Sequence, residues 1–182
     1  MSTKGVVVND EQWKKVQDAR GPWIALKSRH FNEWPSWMPK LDAELRAWLH
    51  GESVVHAQFG NTNGGQPFSG DALEADGLWG VVLTERYIVR VEVEKEPRSA
   101  KLGEGRSPVV TVVPRSAITS LSVTVVDESS HFGVPIVTTA SFDGLPNEIQ
   151  FPADKEEYYL IPEENRLTIL AGLRDDLHGY GA

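Results

Sequence analysis

Between Ser53 and Phe151 the chain is a series of short apolar runs separated by turn residues, and this pattern constrains the fold more than any other. The runs are Ser53–Phe59, Leu78–Thr84, Tyr87–Glu94, Val109–Val113, Ile118–Val126, Val134–Phe142 and Glu148–Phe151. They are rich in valine and alternate with the period of two expected of strands. Parallel neighbours would need crossovers of about a dozen residues or more, usually helical, between the runs. Most joins here are short turns. The spacing therefore excludes a doubly wound α/β fold and predicts an antiparallel meander of about seven strands.

The best-defined pair is the hairpin Leu78–Thr84 and Tyr87–Glu94, turning through Thr84-Glu85-Arg86. In its second strand Tyr87, Val89, Val91 and Val93 point one way and Arg86, Arg90, Glu92 and Glu94 the other, as in a sheet with one wet face. Ile88 alone breaks the alternation. Pro114 closes the fourth run. The fifth sets Leu121, Val123 and Val125 against Ser122 and Thr124. Period two turns Ile136, Ala140 and Phe142 inward, then Ile149 and Phe151 after an Asp143-Gly144 turn. Two long segments interrupt the meander. Residues 60–77 are dominated by Gly, Asn, Asp, Ser and Pro; residues 96–108 carry Pro97, Gly103 and Gly105.

The flanks read as helix. A first helix starts near Asn9 or Asp10, where Asn9 and Gln12 have capping-box spacing. Trp13 and Val16 form its stripe, and Gly21-Pro22 ends it. A second spans Pro39–His50, with Leu41, Leu45, Trp48 and Leu49 on one face and Gly51 as its stop. A last helix covers Pro162–His178, where Leu167, Leu170, Leu173 and Leu177 recur at helical spacing. This predicts a helix that plugs an open end or edge of the sheet.

The 182 residues include no cysteine, which excludes disulfides, thiol catalysis and cysteine-held metal centres. No apolar run approaches the roughly 20 residues of a membrane span, and the first residues do not read as a secretory signal. A cytoplasmic protein is expected. The net charge of −8 is uneven: residues 1–50 hold eight Lys/Arg and six Asp/Glu, or +2, which leaves −10 for the rest. A body of that sign repels phosphate backbones and anionic headgroups, so nucleic acid is not expected as a partner and a membrane is disfavoured.

The chemistry-bearing residues do not assemble into a catalytic motif. His30, His50, His56, His131 and His178 are isolated, with no metal-ligand spacing. Glu163-Glu164 and Asp175-Asp176 read as a solvated helix face. Gly103-Glu104-Gly105-Arg106 precedes a strand rather than a helix, so it does not form a phosphate cradle. No catalytic residue, metal ligand or cofactor is assigned. The unusual feature is tryptophan: five of six fall at Trp13, Trp23, Trp34, Trp37 and Trp48. These rings either dock the early helices onto the sheet or form a partner or self-association surface, for which Trp34 and Trp37 are the candidates. An interfacial membrane anchor is the weakest reading, because the helix polar faces are not strongly basic.

The segment GLWGVVLTERYIVRVEV resembles the hairpin of bacterial pleckstrin-homology-like domains, a group related to the GRAM domain, with its Leu-Thr-Asp/Glu-Arg turn between apolar strands. VVPRSAITSLSV, residues 112–123, resembles the Ile-Pro-x-x-x-Ile-Thr-x-Val step of the same group. The similarity runs from about Ser53 to His178. It implies a mainly β (α+β) fold: a partly open antiparallel barrel of about seven strands capped by a C-terminal helix, residues 52–182. The tryptophan-rich helical extension, residues 1–51, and the loop at 60–77 lie outside the resemblance. That fold hosts several kinds of binding and carries no family catalytic residue. The expected function is a noncatalytic binding or scaffolding module for a protein or peptide, with self-association included. Two alternatives remain open. Anionic lipid or phosphoinositide binding would use Arg86, Arg98, Lys101 and Arg106, and a small hydrolase would use His56 or His131 with a carboxylate.

Overall fold

The computed structural model describes residues 10–23, 26, 34–61, 77–94, 108–126, 134–154 and 159–179. Among these lie three α-helices and seven strands in two sheets. The helices are α1 (Asp10–Asp18), α2 (Met38–Trp48) and α3 (Glu163–Leu177). The strands are β1 (Val54–Asn61), β2 (Gly77–Thr84), β3 (Tyr87–Glu94), β4 (Pro108–Pro114), β5 (Ile118–Val125), β6 (Ile136–Phe142) and β7 (Ile149–Phe151). The fold is α+β and antiparallel, with sheet orders β1-β2-β3-β4 and β5-β6-β7. The chain forms two compact units: Met1–Glu85 with Val89–Thr111, and Arg86–Ile88 with Val112–Ala182.

In the first unit α1 and the 3₁₀ turn Gly21–Trp23 pack on β1. The β1–β2 register shifts between Val54 and His56, and α1 takes up the Val54 backbone. The Val54 N–H donates to Gln12 Oε1 at 2.7 Å, and Lys15 Nζ donates to the Val54 carbonyl at 2.9 Å. Gln12 thus ties helix to strand; its expected capping partner, Asn9, lies outside the described residues. Trp13, Val16, Trp23, Trp37, Met38, Leu41, Leu45 and Leu49 are buried in this unit. Trp48, placed by sequence on the same face of α2, is 48% exposed. It sits at the margin of the Leu41–Leu45–Leu49 stripe, one step past the width the core covers.

β1 and β2 approach closely because two glycines lie opposite aromatic rings. Phe59 pairs with Gly80, and Gly60 with Trp79. A Cβ at either glycine would overlap the facing ring. The Trp23 indole donates to the Gly60 carbonyl at 3.0 Å and the Trp79 indole to that of Asn61 at 3.1 Å. The β2–β3 hairpin forms where the sequence predicts it, but Ile88 is buried beside Val89, Val91 and Val93. Both are interior strands of the sheet, and β2 is buried at every residue except half-buried Trp79. The expected wet face is therefore narrower than the alternation implied.

In the second unit β6 is central and buried throughout except at Ser141. α3 packs against β5, β6 and the 3₁₀ turn Arg115–Ala117. Its buried face is Arg166, Ile169 and Leu173, whereas Leu167 and Leu177 are exposed. Asp176, read from sequence as solvated, instead accepts from Arg115 Nε at 2.7 Å, with both side chains about one-tenth exposed. Gly172 makes room for that arginine: a Cβ there would strike Nη2.

Candidate functional site

Trp37 is 5% exposed and meets Trp23 edge-on at 6.2 Å between centroids; Trp23 in turn meets Phe59 at 4.9 Å. Trp34 is half-buried. Trp13, Trp23 and Trp37 are thus part of the hydrophobic interior of the first unit. Arg20 joins them, 5% exposed, with its guanidinium 5.2 Å from the Trp13 ring and 5.4 Å from that of Phe59. Its Nη1 donates to Asp42 Oδ1. Burial pushes the Arg20 pKa down and the Asp42 charge pulls it back. Sequence reading missed this buried cation, since an arginine before Gly-Pro carries no sign of its depth.

Of the cations proposed for lipid, Arg86 is exposed in the β2–β3 turn, 5.6 Å from the Tyr87 ring. Arg98, Lys101 and Arg106 lie outside the described residues, as do His30 and His131. His56 is half-buried on β1, with Nε2 3.2 Å from Gln58 Oε1. Burial pushes its pKa below the ordinary value, and the Gln58 contact opposes that shift.

One terminal strand among the described residues leaves an apolar row exposed: β5, at the edge of the sheet in the second unit. β5 pairs with β6 on one side, and no strand lies on its other side among the described residues. Directly opposed residues in an antiparallel pair share a face. Leu121, Val123 and Val125 oppose Ala140, Thr138 and Ile136, and so lie on one face with Ile149 and Phe151 of β7. All the β6 and β7 members of that face are buried. On β5 the burial fails along the strand: Ile118 is buried and Leu121 half-buried, while Val123 is 45% and Val125 55% exposed. The opposite row, Ser120, Ser122 and Thr124, is exposed too.

The β5–β6 pairing continues one step beyond the strand: the Val126 N–H donates to the Pro135 carbonyl at 2.8 Å, next to exposed Val134. Buried Arg166 of α3 donates from Nη2 to the Val134 carbonyl at 2.9 Å and from Nη1 to the Ile161 carbonyl. One guanidinium thus holds the start of β6 beside the segment carrying Leu160, which is 61% exposed. No charged residue and no proline falls between Ala117 and Val126. Edge strands usually carry lysine, proline or a bulge that blocks further pairing. From Ser120 to Val125 this one has none. Sequence reading had the row Leu121-Val123-Val125 but no means of finding its exposure. The only sign was that its alternate row holds Ser and Thr where β3 holds Arg and Glu.

Compared with protein-family models, with curated proteins and with solved structures, the chain matches none.

Proposed function

We propose that the protein is a noncatalytic binding module that takes an extended protein or peptide segment onto the β5 edge. The observation that carries this reading is the open edge, exposed on both faces from Ser122 to Val125 and free of charge from Ala117 to Val126. An added strand satisfies the outward N–H and C=O groups of β5. Its alternate side chains cover Val123 and Val125 and extend the apolar face of β6 and β7. Hydrogen bonds and aliphatic contact supply the affinity, not charge. On this reading the two sheets and α3 belong to a pleckstrin-homology-like, partly open barrel whose rigid wall presents the edge. The tryptophan-rich helices support β1, and Trp34 and Trp37 act through the fold.

A selection from a random-peptide display library tests it. The wild-type chain is expected to enrich peptides with alternating β-branched residues. Val123→Lys and Val125→Pro should each weaken the enriched peptides at least about tenfold by calorimetry, or 1.4 kcal/mol. An empty selection, or peptides indifferent to both substitutions, overturns the reading.

A further inference from the structure

We infer that the β5 edge pairs with the β5 edge of a second copy of this chain, antiparallel and centred on Val123. The inference rests on the edge reading above and names its occupant. Three observations point to a copy. First, an antiparallel strand pair around a two-fold axis presents the same residues from both sides, so an edge can serve as its own partner only if its sequence tolerates meeting itself. β5 does. Centred on Val123, the pairing sets Val123 against its symmetry mate and Leu121 against Val125. That completes one continuous apolar row across the axis.

Second, the other face sets Ser122 against Thr124, small hydroxyl side chains that hydrogen-bond across strands. No like charges meet anywhere from Ser120 to Val126, although the chain as a whole carries −8. Third, the under-covered side chains are those nearest the axis. Ile118 is already buried at one end of the strand, whereas Val123 and Val125 are about half exposed. A second copy covers the residues the monomer leaves open. The product is a six-stranded sheet in the order β7-β6-β5-β5-β6-β7, three strands from each chain.

The absence of cysteine makes the register directly measurable. Directly opposed Cβ atoms in an antiparallel pair lie about 4.5–5.5 Å apart, close enough to bridge with little movement. Val123→Cys is therefore expected to form a disulfide-linked dimer rapidly under mild oxidation. Thr124→Cys, displaced from its own mate along the strand, should not. In sedimentation equilibrium without oxidant, wild type should show a concentration-dependent monomer–dimer equilibrium, and so should Val109→Lys on β4. Val123→Lys should sediment as monomer, with a circular dichroism spectrum like that of wild type. A wild-type chain that stays monomeric at millimolar concentration overturns the proposal, as does a dimer indifferent to Val123→Lys or a cross-link at 124 but not at 123. If wild type stays monomeric yet still selects β5-dependent peptides, only the self-pairing fails, and the proposed function stands.

Discussion

His56 shows how a single side chain ties local burial to the behaviour of the whole chain. It sits half-buried on β1, and desolvation holds its imidazole pKa below the ordinary 6.5. The unfolded chain, lacking that burial, takes up its proton near the ordinary value. Between the two values the unfolded state therefore binds more protons than the folded one. Stability is full above about pH 6.5 and falls as the pH drops from there toward the folded pKa. Urea midpoints measured between about pH 7.5 and pH 5.5 should decline in wild type and decline less in His56→Gln, which has no charge to gain. Equal slopes would remove His56 as the cause. Arg20 faces the same cost of burial and meets it differently, keeping its charge with Asp42 and lying against the Trp13 and Phe59 rings. Cation–π contacts of this kind gain strength when desolvated, which suits a cation in a tryptophan core.

At the scale of elements, the sequence was readable wherever a pattern repeats and opaque wherever burial depends on a neighbour. The β2–β3 hairpin, the Asp143-Gly144 turn and the span of α3 follow from alternation, turn chemistry and proline placement, and they stand within a residue or two of the structure. The face of α3 was readable only in part. Leu167, Leu170, Leu173 and Leu177 mark the stripe in the sequence; of these only Leu173 is buried, and it packs beside Arg166 and Ile169. An arginine inside the packed stripe hides it from any hydrophobic pattern, because its partners, the Val134 and Ile161 carbonyls, are distant in sequence or outside the helix. The β5 edge was hidden for a related reason. Strand order decides which apolar row stays open, and strand order leaves no period in the sequence. The two α3 stripes differ in a measurable way. Ile169→Ala should cost about 3 kcal/mol in chemical denaturation, a large-to-small change in a packed site. Leu167→Gln should stay within about 0.5 kcal/mol, as for an exposed position. Similar costs for the two would mean the helix is turned the other way.

For the whole molecule, the sign of the salt response separates the available partners. No helix among the described residues is long and apolar enough to cross a membrane. Binding of the net −8 chain to anionic vesicles would have to run through local cations such as Arg86, and salt weakens such contacts. Self-pairing at β5 has the opposite dependence. Its contact strip is neutral, while the two bodies that approach each carry −8 and repel. Screening relieves that repulsion and leaves the hydrogen bonds and valine contacts almost untouched. Raising sodium chloride from about 20 to 300 mM, which shortens the Debye length from roughly 20 Å to below 8 Å, should tighten the dimer several-fold in sedimentation. The same change should abolish any cosedimentation with phosphatidylserine vesicles. A dimer that loosens with salt would point to ion pairs at its interface, and the neutral β5 strip could not then be the surface that joins the copies.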